Sequence, residues 1–499
     1  MNALLILPIL LPLSGGAAGI LIKTDARRSL QLALISAGLH TLACSLLLYH
    51  VHLNGILATQ IGNWPAPFGI TLVADHLSAV MVMITAMVNL AVTSYSQADI
   101  DASLSNRGYY SLLQILVCGI CGAFLTGDIF NLYVCFEVML MASFGLLVLG
   151  QKKKQLDAGV KYVVINLLAT LLFLAAVGLL YGLTGTLNLA DLHGKVPQIA
   201  HRGLLTAVAV MFLAAFGIKA ALFPLFFWLP AAYHTPPVSV SAIFSGLLTK
   251  VGIYALIRVF TLVFPADMSY FFSLLVGLAA LTMITGVLGA AAQNEFRRIL
   301  SFHIISQVGY MALGLALQTP LALAGTIFYL IHHIIVKANL FLVSGVVERL
   351  QGSFELSRLG GIYRSNGWIA GLFFIPAFSL AGFPPLSGFW AKMILIRASL
   401  EIQQYWLAFI AAAVGLLTVY SMTKIWGEVF WKPRPRANHT DNQQISRKPS
   451  AWMIAPITVL ALLTIFIGLG AEVVFKIAEQ AAAELSDPQS YVYAVLGKK

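Results

Sequence analysis

Lys219-Ala-Ala-Leu-Phe223-Pro224-Leu-Phe-Phe-Trp228-Leu-Pro230 is an apolar run cut by two prolines and opened by a single lysine. A second stretch, Gly382-Phe383-Pro384-Pro385-Leu-Ser-Gly388-Phe389-Trp390-Ala-Lys392, echoes it with Phe-Pro, then Phe-Trp, and again one lysine. Proline removes a backbone donor and clashes with the preceding turn, so a helix that contains either stretch unwinds there. Both are flanked by apolar sequence of membrane-spanning length. In lipid, freed carbonyls are tolerated only where protein or water meets them. The two stretches therefore predict two interrupted spanning helices whose breaks face the protein interior, at matching places in two halves of the chain, the pattern of a midplane site between repeats.

The composition agrees. Of 499 residues, 59% are apolar and 10% charged, against about 25% charged in a soluble domain, and the mean hydropathy is +0.88. A spanning helix needs about 20 mostly apolar residues. Fourteen such segments are read, over 2–22, 30–51, 73–95, 108–126, 129–149, 160–183, 204–228, 238–261, 269–292, 299–317, 320–346, 367–397, 405–427 and 451–471. The predicted fold is an all-α polytopic membrane protein with two inverted five-helix repeats, the interrupted helices being spans seven and twelve. Its parts are three N-terminal helices (1–106), a first repeat of spans four to eight (107–262), a second of spans nine to thirteen (263–430), and a loop, span fourteen and short tail (431–499). Because five is odd, the second copy lies upside down relative to the first.

Short cytoplasmic loops carry the excess of Lys and Arg. Odd-numbered loops hold Lys23, Arg27 and Arg28, then Arg107, Lys152–Lys154, Arg297 and Arg298, Arg349, Arg358 and Arg364, and Lys432, Arg434, Arg436, Arg447 and Lys448. Even-numbered loops are nearly bare, Lys195 and Arg202 excepted. Both termini are thus expected outside, and the first span, with no basic region before it, reads as a retained helix rather than a signal peptide. The net charge of +11 is topogenic and calls for lipid, not nucleic acid, as partner. Cys44, Cys118, Cys121 and Cys135 all fall in apolar spans; Cys118 and Cys121 form a CxxC, but no second pair or flanking His completes a metal site. No cofactor is expected, no metal site is identified, and a transporter subunit is expected rather than an enzyme.

A charge at the bilayer centre costs at least about 2.5–3.5 kcal/mol on insertion scales and marks ion routes or proton relays. Glu137 lies mid-span in Asn131-Leu-Tyr-Val-Cys-Phe-Glu137-Val-Met-Leu, and Lys219, Lys250, Lys337 and Lys392 lie in spans seven, eight, eleven and twelve. Glu137 and Lys219 suit an ion pair whose making and breaking moves a proton, because a nearby carboxylate holds an amine in its charged form; a static packing bridge is the plainer alternative. Lys250 is too central to snorkel comfortably, whereas Arg258, near the span end, is expected to snorkel. His333 and Lys337, four residues apart, share a helix face, and histidine suits a relay; for His332 packing is an equal account. In span ten, the counterpart of Glu137's span, His303 and Gln307 appear but no carboxylate does. Capping or topology accounts for Asp75 and Asp128, near the outer ends of spans three and five, with a role as entry groups the alternative reading.

These residues resemble the antiporter-like membrane protein family shared by complex I, membrane-bound hydrogenases and Mrp-type multisubunit cation/proton antiporters. The resemblance covers nearly the whole chain. It rests on Lys219 through Tyr254, with Trp228-Leu-Pro230, Pro237-Val-Ser239-Val-Ser241-Ala242 and Lys250-Val-Gly-Ile-Tyr254; on Arg297-Arg298-Ile-Leu300-Ser301 with Ser306-Gln307-Val-Gly309-Tyr310; and on His333-Ile-Ile-Val-Lys337-Ala-Asn-Leu-Phe341. It implies that Glu137, Lys219, Lys250, His333, Lys337 and Lys392 translocate protons. Where complex I members usually carry His two residues after the span-seven proline and Asp-Ala-His after Trp-Leu-Pro, this chain has Phe226 and Ala231-Ala-Tyr233, then His234-Thr235-Pro236-Pro237. In that departure, and in lacking a long C-terminal amphipathic helix, the chain is similar to the Mrp-type branch. The implied role is proton-driven exchange of external H⁺ for internal Na⁺, with Li⁺ or K⁺ as alternative cations, alongside other subunits in a bacterial inner membrane. The rival readings are a pumping subunit of a redox-driven complex and a structural membrane scaffold.

Overall fold

The computed structural model describes residues 3–22, 25–264, 269–435 and 448–497; Lys23, Arg436 and Arg447 lie outside the described residues. Each expected span is occupied by helix. In chain order these are α1 (Leu7–Leu21), α2 (Ala26–Asn54), α3 (His76–Asp99), α4 (Tyr109–Leu125), α5 (Ile129–Val148), α6 (Lys153–Thr184), α7 (Arg202–Ala220), α8 (Val238–Leu262), α9 (Tyr270–Ala292), α10 (Phe296–Ala316), α11 (Pro320–Gln351), α12 (Gly367–Ala381, continued as Ser387–Glu401), α13 (Tyr405–Trp431) and α14 (Ala451–Leu469). Eleven of them are long and apolar enough to cross a membrane, and α1, α4 and α12 are shorter apolar helices.

Polar caps at the ends fix where the apolar helices start. Asp25 accepts from the N–H groups of Arg27 and Arg28 at α2, Asp75 and Ser78 form a capping box at α3, Asp128 caps α5, Glu295 caps α10 and Thr319 caps α11. Each satisfies donors that a helix start leaves open. The capping account of Asp75 and Asp128 is what the structure displays. Gly185 and Gly352 end α6 and α11 in the left-handed conformation, which glycine adopts without a Cβ penalty.

Burial sorts the bundle into layers. The most apolar stretches of α8 and α11 are wholly enclosed and that of α10 is 94% so, whereas those of α2, α6 and α13 are only 39% buried and form the rim. The helices that carry Lys250, His303, His333 and Lys337 are thus the innermost ones.

The two ends of the bundle keep separate company, as alternating crossings require. At one end Arg107 donates to Leu149 O, Arg297 to Pro236 O and Arg349 to Ala98 O. At the other, strands β1 (Leu57–Gln60) and β2 (Thr71–Ala74) pair antiparallel, and Asp128 bridges Asn188. The tail folds there as α15 (Ala471–Ser486) and α16 (Gln489–Leu496), with Ala478, Ala481, Ala482 and Leu485 buried and Tyr491 packed inward. Glu484 accepts a hydrogen bond from the His76 N–H at 3.0 Å and lies 2.7 Å from His76 Nδ1.

Candidate functional site

Both interrupted helices break at Phe-Pro. In the first, α7 ends at Ala220, Ala221 is left-handed at φ 64°, and Trp228 Nε1 donates to Ile218 O at 3.0 Å across the gap. In the second, α12 ends at Ala381, Gly382 is left-handed at φ 97°, and helix resumes at Ser387. The lysines fall on opposite sides of their breaks. Lys219 is in the last turn before the first one; Lys392 is in the helix after the second and donates to the freed carbonyl of Ala381 at 3.0 Å. Ser379, four residues before Phe383, takes the place that Lys219 has before Phe223, and its hydroxyl meets that of Ser387 at 3.0 Å.

Glu137 and Lys219 do not touch. Lys219 Nζ stands 5.8 Å from the centroid of the Phe136 ring, and among the described residues no ion pair joins it to a carboxylate. Glu137 is partly buried, on a face of α5 whose neighbours Phe130, Val134 and Met141 are open by 44%, 40% and 66%. The expected pair is therefore open in this structure.

The other lysines share one arrangement, a buried ammonium on a backbone carbonyl. Lys250 Nζ donates to Ser245 O within the π-helical turn Phe244–Leu248 that interrupts α8; such turns release a carbonyl from the helix ladder and recur at functional sites. Lys337 Nζ donates to Leu300 O of α10 at 3.1 Å. Lys392 Nζ also lies 5.4 Å from the Tyr310 ring. No carboxylate neutralises any of the three among the described residues, so none is locked into a salt bridge.

Between the lysines runs a row of buried polar atoms without protein partners. Both ring nitrogens of His303 and of His333, Thr249 Oγ1, Ser306 Oγ, Gln307 Nε2 and both amide atoms of Asn339 are buried and unpaired. Buried polar groups are almost always hydrogen-bonded, and sites with several convergent ones hold ordered water. These groups thus have the chemistry of sites that hold water. His332 instead places Nδ1 2.8 Å from Ser387 Oγ, tying α11 to the far half of the broken α12, as its packing account requires.

Two features of the site leave little or no mark in the sequence. Tyr329 hydroxyl donates to Gln307 Oε1 and stacks on Tyr310 at 5.3 Å, so a tyrosine pair lines the row beside His333; Tyr310 ends the Ser306–Tyr310 motif, but nothing in spacing singles out its ring. Arg258 does not snorkel. It is buried and pairs with Asp75 at 2.5 Å, flanked by the Tyr254 and Tyr491 rings, a correction with a simple cause, since a partner on another helix leaves no trace in local periodicity. Outside the spans, burial, offset in part by a bond to Pro230 O and reinforced by Arg297, holds His234 down to about 4. The cysteines are free, and among the described residues no group of three or more His, Cys, Asp or Glu gathers as a metal site would need.

Residues 126–418 match the family described as NADH:quinone oxidoreductase/Mrp antiporter, TM. The chain is 46% identical over 498 residues to the D subunit of the Na(+)/H(+) antiporter of Alkalihalophilus pseudofirmus, covering 99% of this chain and 100% of the relative. Its fold superposes on a chain of the Mrp complex from Dietzia sp. with a TM-score of 0.92 at 33% identity, covering 100% of each. With a chain of respiratory complex I from Thermus thermophilus the TM-score is 0.80 at 25% identity, over 97% of this chain and 99% of that one. With Lys219, Lys250 and the span-eleven His–Lys pair all inside the matched segment, the chain belongs to the NADH:quinone oxidoreductase/Mrp antiporter family of membrane proteins.

Proposed function

We propose that this chain is the proton-translocating subunit of a hetero-oligomeric monovalent cation/proton antiporter that moves Na⁺ out and H⁺ in at the expense of the proton motive force. The observation that carries the proposal is the set of unpaired buried polar atoms on the helices that bear Lys250 and Lys337 and on α10 between them. A scaffold would have every reason to satisfy or delete such groups, each of which costs about 1–3 kcal/mol when left unpaired.

Protons pass through Glu137 and Lys219, then Lys250, His333, Lys337 and Lys392. A carboxylate beside an amine stabilises the ammonium, and its withdrawal favours release of the proton. With Glu137 apart from Lys219, as here, the lysine is in the releasing arrangement; approach of the two recharges it. The two five-helix repeats, residues 107–262 and 263–430, supply one lysine-bearing broken helix each, and the whole is a multi-pass bacterial inner-membrane protein with both termini outside. Its partners are the other subunits of the complex. The similarity to a complex I chain keeps one other reading in play, a redox-driven pump, which uses the same row and differs in what drives it.

The test is Na⁺-dependent dissipation of ΔpH in everted vesicles holding the whole complex. Glu137→Ala and Lys219→Ala are each expected to lower the rate at least about a hundredfold, the lower end of what a positioned proton-transfer group contributes, while the complex still co-purifies. An assembled Lys219→Ala complex with full activity would falsify the role given to the row.

A further inference from the structure

At the end of the bundle that carries Arg107, Lys152 and Arg297, a cavity of about 430 Å³ opens between α3, α8 and α11. Its wall includes three carboxylates, Asp99, Asp101 and Glu348, of which Asp101 caps a short helix by accepting from the Leu104 N–H at 2.8 Å and the other two face the bundle. They are held differently. Asp99 Oδ2 accepts from both the Ser239 N–H, at 2.9 Å, and the Ser239 hydroxyl, at 2.7 Å, so it is fixed at the start of α8. The Glu348 carboxylate is half-buried and, among the described residues, makes no hydrogen bond or ion pair. Arg297 also lines the cavity; its Nη1 is tied to Pro236 O, and its buried Nε lies 3.9 Å from Glu295 Oε1 without a hydrogen bond, and a buried donor with no hydrogen bond beside a polar cavity calls for water.

Helix α11 is unbroken from Pro320 to Gln351. At 3.6 residues per turn, His333, Lys337, Ser344 and Glu348 fall within one narrow sector of its surface. The face that carries the proton row therefore continues, over about 16 Å between Lys337 and Glu348 at 1.5 Å per residue, to the cavity. Along that interval Tyr95, one turn inward of Asp99 on α3, donates to Leu342 O at 3.1 Å, and Ser344 is fully buried. A carboxylate without protein partners, at the point where a polar helix face meets water, is well placed to hand a proton between them.

We propose that this cavity is the aqueous vestibule through which the α11 row exchanges protons with the basic, cytoplasmic side, and that Glu348 is the proton-transfer group at its mouth. The proton that leaves Lys337 travels through water to the Glu348 carboxylate and from there to the bulk solution, Glu348 returning to its anionic form. Asp99 is a positioning residue, holding the start of α8 against α3 so that the cavity stays open. The proposal rests on the proton-translocating reading above and adds the residue at which that path meets solvent.

Everted vesicles expose this side to the medium, so reagents reach it directly. In the whole complex, Glu348→Cys is expected to lower Na⁺-dependent dissipation of ΔpH about tenfold. Carboxyethyl methanethiosulfonate in the medium, which restores a carboxylate there, is expected to return most of the rate, and the aminoethyl reagent is not. Wild-type complex treated alike controls for Cys44, Cys118, Cys121 and Cys135. A full rate in the assembled cysteine variant, or the same response to both reagents, overturns the proposal. If the cysteine variant does not assemble, Glu348→Gln, nearly isosteric with the native side chain, takes its place, and an undiminished rate in it is equally decisive. Failure of the underlying reading is distinguishable, because it would appear as full activity in Lys219→Ala whatever happens at Glu348.

Discussion

Gly252 sets the distance between the first two lysines of the row. A Cβ at this position would lie 2.6 Å from Ala220 N and 3.0 Å from Ala220 Cα, so α8 packs backbone to backbone against the last turn of α7, one residue from Lys219 and two from Lys250. Gly252→Ala forces the two helices apart, an overpacking cost of about 1–3 kcal/mol, and is expected to slow antiport more than it reduces the amount of assembled complex; equal losses would mean that the approach serves packing alone. A second prediction concerns Asp75. Its removal leaves Arg258 charged and enclosed, which costs about 3–5 kcal/mol when one partner of a buried pair is deleted. Asp75→Ala should lower the melting temperature of the detergent-solubilised complex far more than Asp157→Ala, whose pair with Lys161 is exposed and worth at most about 1 kcal/mol. His234 gives a pH-dependent effect. Its folded value is depressed from 6.5 to about 4, so the neutral ring's contribution is fully present above pH 6.5 and is lost as pH falls towards 4. The melting temperatures of wild type and His234→Asn should converge on going from pH 7 to pH 5, and a constant gap would show that His234 contributes only shape.

Elements explain which of these features are legible in the sequence. The two Phe-Pro breaks are, because proline acts through its own ring and missing donor, and both appear where expected, with Ala221 and Gly382 turning the chain. The π-helical turn before Lys250 is not, since no residue in Phe244–Leu248 forbids an ordinary helix, and the turn lies against Ile334 and Ala338 of α11, far away in sequence. The folded tail is equally hidden. Its amphipathic segment is shorter than a span, and its partners are His76 and Arg258, far away in sequence. Those partners make α15 and α16 a lid over one end of α3 and α8 rather than a loose extension. A chain ended at Gly470 keeps every spanning helix but loses Glu484 from His76 and the Tyr491 ring from Arg258. It is expected to melt at a clearly lower temperature than the full chain, and unchanged melting would show that the tail adds nothing to the stability of the Asp75–Arg258 pair.

At the scale of the whole molecule, one carboxylate is misplaced for a chain that stands alone. The side chains of the four lysines, His303 and His333 are all buried, where protein and water can accommodate them, yet Glu137 is only partly buried in the middle of an apolar span, on the Phe130–Val134–Met141 stripe of α5. Residue type and position alone single out Glu137 as a candidate, since an intramembrane charge is expensive. They do not tell an inward glutamate from an outward one, because α5 has apolar side chains on every face and no polar side to orient it. Left against lipid, the group would carry a cost of a few kcal/mol, and a neighbouring subunit that covers the stripe removes it. The same neighbour can then push Glu137 towards Lys219 or let it fall away, which would couple the proton row to events in a partner without any contact between Lys219 and that partner. Cysteines placed at Phe130 and Met141, on either side of Glu137, are therefore expected to cross-link to another chain in the assembled complex and to remain free when this chain is expressed alone. If both react with a small membrane-permeant maleimide as readily in the complex as in the isolated chain, the stripe faces lipid, and the movement of Glu137 must be driven from within this chain.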